Sequence, residues 1–554
     1  MDISILNKTM ELADCRDGWF FDENHSCWCL EDLIYTPVPK VPAFQRLSIY
    51  APKELLDNGQ LTEEAKTVPV VFENNAAGYM QMPHSWLDGP RCHAKQYLEK
   101  GYVYVTCGCS GRESRNKKGE LVGKGPTSLV DLKTAIRFLR HNDAVIPGDL
   151  NKIISVGVSA GGAMSSLLGV TGDNENYLPY LEANGAFMDE SDAIFAAQCY
   201  CPIIDLEHAD LAYEWMFHED KTCEDSHAGP AETMDDFKDA LSAVLAKKYI
   251  AYFNSLELKN PDTGETLYMN EDGRSGSGYD YLMNCFNASA AKHLRMLEEG
   301  KLPVRYSAAD YLSGNYTFLA PAPRPVKNKD AHHVGPNAIL EETGKPKTLG
   351  EMMLRPPKDV IISNCQPPMV ECPGMDKSSW LSWDGENASI SDLDTYILNH
   401  RRRMKPCTSF DTLSMNSGEN QALGTPDVDF VHFNAEIADA IAQLKGRFPQ
   451  EYGRYYETYA AAGKDEALKV RIHLFNPMDF VGTKEKNTYA KHFRIRVGGQ
   501  DADTATIVSM SLALKLAKYS CGTVDYAIVW DQPHCDADYP GEICEWIEML
   551  CAGN

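Results

Sequence analysis

The chain has 554 residues, of which 44% are hydrophobic and 10% aromatic, and its formal net charge at pH 7 is −26. This length exceeds what one hydrophobic core normally organises, so we expect a core domain and a large second unit. The negative charge argues against nucleic acid or an anionic membrane as a partner, because binding phosphates requires clustered lysines and arginines. The composition leaves the oligomeric state open.

The cysteine pattern and the first residues of the sequence bear on whether the protein is cytoplasmic or secreted. Seventeen cysteines are present. Cys107/Cys109 and Cys199/Cys201 form Cys-x-Cys pairs within predicted strands. We interpret them as buried thiols, because cysteines two residues apart on a strand are poorly placed to form a disulfide. No cysteine or histidine cluster has zinc-ligand spacing, no apolar run spans a membrane, and the first residues do not resemble a signal peptide. A cytoplasmic protein without a metal is favoured, and secretion after removal of a signal peptide stays an alternative.

The first part of the chain reads as an α/β sheet, because predicted strands and helices alternate over residues 45–205. Strands are predicted at 68–72, 101–107, 152–156 and 196–204, with a helix at 128–141.

The alternation stops at about residue 206 and resumes after 477. In between, helical stretches are separated by proline-rich passages at 319–325 and 354–358. The predicted helical stretches cover 237–256, 279–299 and 432–462. After them come a strand at 492–497, a helix at 504–517, a strand at 524–530 and a helix at 542–550. We therefore predict a hydrolase core formed by 1–205 and 478–554, interrupted by an inserted lid domain at 206–477.

A Gly-x-Ser-x-Gly motif centred on Ser159 directly follows the predicted strand at 152–156. This is the context of a nucleophile elbow, in which glycines flank a serine held at a sharp turn. The turn would expose the Ser159 hydroxyl and place the Ala160 amide at a helix N-terminus, where it can donate to an oxyanion. The alternative is a glycine-rich connection that carries an ordinary serine.

A nucleophilic serine needs a base and a carboxylate that orients the base, and in α/β-hydrolases these follow the serine in the order acid, then histidine. His534 comes just after the last predicted strand and is the candidate base, with an ordinary loop histidine as the alternative. Asp501 and Asp503 follow the strand at 492–497. Asp501 is better placed to orient the base, whereas Asp503 precedes the predicted helix at 504–517 and could be its N-cap.

A second oxyanion donor is expected in the loop after the strand at 68–72, which points to the amides of Ala77 and Gly78. A simple turn explains this glycine almost as well.

Four motifs together resemble bacterial tannases (tannin acylhydrolases). They are GVSAGG at 157–162, NNAAG at 74–78, RVGGQDADT at 496–504 and DQPH at 531–534. The resemblance covers essentially the whole chain, and parts of 402–420 are similar to the tannase segment that holds the galloyl ring. It implies an α/β-hydrolase fold with a large inserted lid domain.

The resemblance also implies roles for individual residues. Ser159, Asp501 and His534 would form the triad, and Gly78 and Ala160 the oxyanion hole. Lys405, Glu419 and Asp503 would contact the phenolic hydroxyls. Ionised carboxylates only accept hydrogen bonds and an ammonium only donates, so these three suit the protons and the oxygens of adjacent phenols. The alternatives are a solvated basic run for Lys405, a loop acid for Glu419 and the cap for Asp503.

One feature departs from the fungal enzymes of this type, which join cysteines beside the serine and the histidine by a disulfide. Here Cys535 follows His534, but residue 158 is valine. The bacterial type is therefore indicated.

These inferences predict a serine esterase that hydrolyses galloyl ester and depside bonds of tannins and alkyl gallates, releases gallic acid and needs no cofactor. One alternative is an esterase of feruloyl or other phenolic esters, whose methoxy group would clash with the three contacts at Lys405, Glu419 and Asp503. Another is a non-catalytic binding protein of the same fold, although such proteins usually lose a triad residue.

Overall fold

A nine-stranded sheet forms the centre of the computed structural model, which describes residues 18–89, 91–223, 232–321, 369–519 and 522–552. Its strands are β1 (Phe20–Asp22), β2 (Cys27–Ile34), β3 (Arg46–Pro52), β4 (Pro69–Asn74), β5 (Val103–Cys107), β6 (Asp149–Val158), β7 (Ala196–Tyr200), β8 (His492–Gly498) and β9 (Thr523–Val529). Their spatial order is β1-β2-β3-β5-β4-β6-β7-β8-β9. The first three strands run antiparallel to their neighbours, and the other six are mutually parallel.

Helices cover the sheet and form most of the segment between β7 and β8. They are α1 (Ala94–Leu98), α2 (Thr127–His141), α3 (Ala160–Val170), α4 (Leu178–Ala183), α5 (Leu206–Phe217), α6 (Asp236–Ser255), α7 (Ser277–Glu298), α8 (Ala308–Ser313), α9 (Leu393–Tyr396), α10 (Gly418–Ala422), α11 (Ala435–Gln443), α12 (Pro449–Ala462), α13 (Glu466–His473), α14 (Thr506–Tyr519) and α15 (Glu542–Ala552). No helix within the described ranges is both long and apolar enough to cross a membrane.

The segment between β7 and β8, called the inserted segment here for its position between two core strands, adds no strand to the central sheet within its described residues. It contains α5 to α13 and three two-stranded ribbons: Thr222–Cys223 with Glu232–Thr233, Thr317–Pro321 with Met369–Pro373, and Leu381–Trp383 with Ala388–Ile390. Helix α7 packs on β9, and Ser289 Oγ donates to the carbonyl of Ile528 at 2.8 Å. The inserted segment therefore also covers an edge strand of the core.

Most predicted elements are present, with shifted ends. The predicted strand at 196–204 ends at Tyr200, and the helix predicted at 504–517 begins at Thr506. The stretch at 432–462 is two helices, α11 and α12, with Pro449 at the start of the second, where its missing N–H costs nothing. Strands β1 and β2, before residue 45, were not predicted. The proline-rich passage at 354–358 and most of 319–325 lie outside the described residues.

The parallel core strands are buried on both faces, which explains their nearly continuous apolar sequences. The cysteines at 107, 109, 199 and 201 are free and buried in this region, which confirms their interpretation as core thiols.

The glycines around the elbow let helix α3 pack directly on strand β4. A Cβ at Gly157 would lie 2.2 Å from the carbonyl oxygen of Gly161 and 2.5 Å from Asn74 Nδ2. The buried Asn74 amide donates to the carbonyls of Val156 and Gly161, both at 3.1 Å, and so ties β6 and α3 to the end of β4.

We expect Gly157→Ala to lower the free energy of unfolding by about 3 kcal/mol or more, because the added methyl meets backbone and a buried amide that cannot move independently. Urea unfolding measures this difference. Gly453→Ala in helix α12 is the matched control: its Cβ meets nothing within 4 Å, so it should stabilise the protein by about 0.5–1 kcal/mol. Equal stability of the Gly157→Ala variant and the wild type would contradict the packing argument.

Candidate active site

Ser159 occupies a strained turn between β6 and α3. Its φ of 62° and ψ of −123° lie in a region that non-glycine residues rarely adopt. Its N–H donates to the carbonyl of Tyr200 at 2.9 Å, which fixes the turn against the end of β7. Ala160 is the first residue of α3, so its N–H is one of the four that a helix leaves without an internal partner. The turn has the geometry predicted for a nucleophile elbow.

The carboxyl ends of four neighbouring strands bring the candidate residues together. Val158 pairs with Tyr200, Tyr200 with Arg496, and Gly498 with Val529. The loops that follow β6, β7, β8 and β9 therefore emerge side by side at one edge of the sheet.

His534 and Asp501 form a hydrogen-bonded pair at this edge, with 3.0 Å between Nδ1 and Oδ2. The Asp501 side chain is fully buried, and its second oxygen accepts the N–H of Asp503 at 3.0 Å. Of the two candidate acids, Asp501 is thus the one hydrogen-bonded to His534.

The pair shifts both acidities in the direction of an ion pair. Burial by itself would raise the pKa of the Asp501 carboxyl, but His534 and the nearby Arg401 lower this pKa below its usual value. Burial would likewise lower the pKa of the His534 imidazole, but the Asp501 carboxylate and the Cys201 side chain raise it well above its usual value. Asp501 therefore stabilises the imidazolium that a general base must become.

The third link of a triad is not made in this structure. Within the described part of the chain, the Ser159 hydroxyl forms no hydrogen bond to the His534 ring. Catalytic hydrogen bonds are often long in ligand-free enzymes and tighten when substrate binds.

Cys201 is a neighbour of His534 that the sequence analysis assigned only to the core. Its Sγ, a carboxylate oxygen of Asp501 and a ring nitrogen of His534 all lie within 4.8 Å of one another. Burial raises the pKa of the Cys201 thiol to about 11, so the group is protonated near neutral pH.

Asp531 fastens the loop that carries His534 to the inserted segment. Its carboxylate accepts a hydrogen bond from Tyr311 Oη at 2.7 Å and lies 3.0 Å from His400 Nε2. Burial would raise its pKa, but His400, His293 and Tyr311 lower it to about 2. The negative charge of Asp531 thus holds three groups of the insertion against the end of β9.

Gly78 lies in a tight turn, Ala77–Tyr79, that packs against helix α3. Its φ of +57° is one that glycine adopts without strain, and its carbonyl accepts a hydrogen bond from Arg112 Nε at 2.9 Å. Tyr79 Oη donates to the carbonyl of Ile203 at 2.7 Å. The turn is therefore held next to the elbow helix from two sides.

Tyr213, which no sequence motif indicates, connects the backbone at Lys405 to the backbone at Ala502, next to Asp503. Its buried hydroxyl donates to the carbonyl of Ala502 at 2.9 Å and accepts the N–H groups of Met404 at 3.2 Å and Lys405 at 3.0 Å. The Lys405 segment is thereby fastened to the loop of Asp501 and Asp503. The Lys405 ammonium lies 3.9 Å from the centre of the Phe410 ring.

Glu419 approaches from helix α10, which packs on the turn of Gly78. It is close enough to Tyr79 to contribute, after burial, to raising the pKa of that phenol. Arg112 links the Gly78 turn to helix α10. It donates hydrogen bonds to the carbonyl of Gly78 and to the side chain of Gln421 in α10.

Lys405, Glu419 and Asp503 are all half-buried. Within the described residues, no hydrogen bond or ion pair engages any of these three charged groups, and the structure does not join them to one another. Helix α14 begins at Thr506, so Asp503 does not immediately precede it as the N-cap interpretation required. Apart from the contact of Lys405 with the Phe410 ring, these charged groups therefore have hydrogen-bonding capacity that the described residues do not use.

The arginines of the basic run that ends at Lys405 all have partners inside the protein, although Arg402 is 38% exposed and Lys405 itself is half-buried. Arg401 donates to the carbonyl of Thr504 at 2.7 Å, Arg402 pairs with Asp220 at 2.7 Å, and the fully buried Arg403 pairs with Glu214. Arg402 and Arg403 are thus paired with carboxylates and Arg401 is engaged by uncharged acceptors, which argues against a patch for phosphates.

Known proteins resemble both the core and the whole chain. The family model BD-FAE, of α/β-hydrolase type, matches residues 62–242. Among solved structures, the tannin acyl hydrolase of Lactobacillus plantarum is 28% identical, covers 95% of this chain and 94% of its own, and superposes with a TM-score of 0.71. The tannase of Fusobacterium nucleatum is 28% identical, covers 95% of both chains and has a TM-score of 0.70.

A further solved structure is a tannin acyl hydrolase in complex with ethyl gallate, 27% identical, with coverage of 95% and 94% and a TM-score of 0.71. A search among curated protein sequences gives no match. These findings confirm the α/β-hydrolase fold and the resemblance to bacterial tannases, and they support an ester hydrolase.

We expect Asp501→Asn to lower the pKa of His534 below the ordinary 6.5 of histidine, because the variant keeps the burial and loses the carboxylate charge. NMR titration of the imidazole nitrogens, assigned with His534→Gln, measures both proteins. Asp503→Asn is the matched control, since its side chain has no hydrogen bond to His534, and its His534 pKa should stay near that of the wild type. Equal values in Asp501→Asn and the wild type would contradict the pairing.

Proposed function

We propose that this protein is a serine esterase that releases gallic acid from galloyl esters and depsides of tannins and from alkyl gallates. The observation that carries the proposal is the loop after β8. Asp501 in this loop pairs with His534, and two residues later Asp503 lies beside Tyr213, which holds the Lys405 segment. One short loop thereby links the acid–base pair to the proposed contacts for the ring.

In the proposed reaction, His534 Nε2 takes the hydroxyl proton of Ser159 while Ser159 Oγ attacks the ester carbonyl carbon. Asp501 holds Nδ1 and stabilises the imidazolium. The imidazolium then gives its proton to the leaving alcohol, and a galloyl-enzyme remains. His534 next deprotonates a water that attacks this ester, and gallic acid leaves as the proton returns to Ser159.

The amides of Ala160 and Gly78 are proposed to hold the oxyanion in both steps. Ala160 offers the free N–H of a helix start, and the Gly78 turn packs against the same helix. Fixed N–H donors of this kind typically contribute about 10²–10³-fold in rate each.

The acyl group would be recognised by Lys405, Glu419 and Asp503. Gallate carries three adjacent phenol groups, and the two carboxylates can accept their protons while the ammonium donates to an oxygen. Within the described ranges these side chains have no ion-pair partners, so leaving them unsatisfied by an analogue without hydroxyls would be costly. We also propose that residues 206–477 act as the lid, because they supply Lys405 and Glu419 to a core that supplies Ser159, Asp501 and His534.

The purified protein should hydrolyse methyl gallate at a kcat/KM at least about 100-fold above that for methyl ferulate or methyl benzoate, because only gallate satisfies the three charged groups. Chromatography of the released acids measures the three rates. Ser159→Ala should abolish turnover of each ester. Ferulate turnover equal to gallate turnover would keep an esterase but contradict the role of the three contacts.

Single substitutions test which residue makes the enzyme prefer methyl gallate over the other esters. Glu419→Gln should lower kcat/KM for methyl gallate about 10–100-fold, as expected for a lost charge-assisted hydrogen bond of about 1.5–3 kcal/mol, and leave methyl benzoate unchanged. Glu436→Gln is the matched control, since Glu436 pairs with Lys248 elsewhere in the insertion. Equal losses on both esters would indicate a structural defect.

We expect Tyr213→Phe to raise KM for methyl gallate about tenfold with a smaller change in kcat, because it removes only the hydroxyl that fastens Lys405 to the Ala502 carbonyl. Steady-state kinetics with methyl gallate and methyl benzoate separate this effect from a folding defect, since benzoate hydrolysis should be retained. Tyr249→Phe is the control, because Tyr249 is equally buried but lies away from this loop. A proportional loss on both esters would contradict a positioning role.

A further inference from the structure

Cys201, Asp501 and His534 present three different kinds of metal ligand at one point. A thiol sulfur, a carboxylate oxygen and an imidazole nitrogen lie within 4.8 Å of one another, and no other group of three such residues meets that distance in the described part of the chain. The sequence could not reveal this cluster, because the three residues follow three different strands and have no zinc-like spacing.

The separations suit a small tetrahedral ion after modest adjustment. Zinc binds imidazole nitrogen and carboxylate oxygen at about 2.0–2.2 Å and thiolate sulfur at about 2.3 Å, which places neighbouring ligand atoms about 3.3–3.8 Å apart. His534 Nδ1 and Asp501 Oδ2 are already 3.0 Å apart. The sulfur needs to approach by no more than about 1–1.5 Å to complete three of four positions.

The backbone holds Cys201 in this place. The residue directly follows β7, and its N–H donates to the carbonyl of Arg496 at 2.7 Å. Its thiol is fully buried against the pair, and the His534 side chain is 19% exposed.

We propose that Cys201, Asp501 and His534 form an inhibitory binding site for a divalent cation of borderline softness, such as Zn²⁺. The inhibition rests on the proposed esterase function, whereas the binding does not. Thiolate and imidazole ligands favour zinc over magnesium or calcium, so the latter ions should not compete.

Zinc would inhibit ester hydrolysis because it changes which atoms of Cys201 and His534 carry protons. Zinc binding displaces the proton of the Cys201 thiol to solvent, and the metal takes the Nδ1 lone pair of a neutral imidazole. The one remaining ring proton then lies on Nε2, the atom that must accept the proton of Ser159. The proposed site therefore loses its base when zinc is bound.

The test is a titration of the metal-free protein with Zn²⁺, with two readouts. Competition against a chromophoric chelator gives the affinity, and methyl gallate hydrolysis gives the fraction of activity left. One Zn²⁺ per chain should abolish hydrolysis, EDTA should restore it, and Mg²⁺ should have no effect. Cd²⁺ in place of Zn²⁺ should produce a thiolate-to-metal absorption band.

Cys201→Ala should bind Zn²⁺ at least about tenfold more weakly and keep a larger fraction of its own activity at each zinc concentration. Cys535→Ala is the matched control, because Cys535 follows His534 in sequence but its thiol contacts Gln532 at 3.7 Å, and it should respond like the wild type. Equal zinc inhibition of Cys201→Ala and the wild type would overturn the site, as would no binding to the wild type. Cys201-dependent binding by a protein without esterase activity would support the site and overturn the proposed function.

Discussion

Parallel pairing of β4 with β6, and of β6 through β9 in turn, is the constraint on which the site depends. In this arrangement the carboxyl ends of the strands meet at one edge, so loops far apart in the chain become neighbours. Ser159 follows β6, Cys201 follows β7, Asp501 follows β8 and His534 follows β9. A change in the strand order would separate Asp501 from His534 however well each loop was formed.

The insertion between β7 and β8 depends on the same edge. It sends Tyr213 to the loop of Asp501, Tyr311 and His400 to Asp531, and α10 to the Gly78 turn. The contacts of Tyr213, Tyr311 and His400 are polar, and each fixes a direction as well as a distance, since a hydrogen bond weakens steeply when misaligned. The insertion is therefore joined to the core at the positions where the proposed chemistry requires accuracy.

Charge is distributed unevenly around this edge. Arg401, Arg402 and Arg403 each have an internal acceptor, and Asp501 and Asp531 each have a histidine partner. Leaving such groups buried and unpaired would cost several kcal/mol each, of the order of about 3–5 kcal/mol. Lys405, Glu419 and Asp503 differ from them, because within the described residues no protein group of opposite charge pairs with them. These three charges are therefore the ones to which we assign ligand recognition in the proposed function.

The sequence alone predicted the sharp turn at Ser159, the parallel strands that precede the candidate residues and the proximity of His534 to Asp501, because each of these depends on local backbone chemistry or on position after a strand. Its resemblance to tannases also pointed to Lys405, Glu419 and Asp503, whose proposed role stays a prediction. The sequence placed most helix starts within about two residues, but it predicted one helical stretch at 432–462 where the structure has two helices. Helix caps and breaks are set by contacts from other elements, which the sequence does not show. Tyr213, Cys201, Arg112 and Asp531 became visible only in the tertiary structure. Their partners lie on elements distant in sequence, and nothing in the identity or spacing of a buried tyrosine or cysteine specifies which loop the sheet will bring beside it.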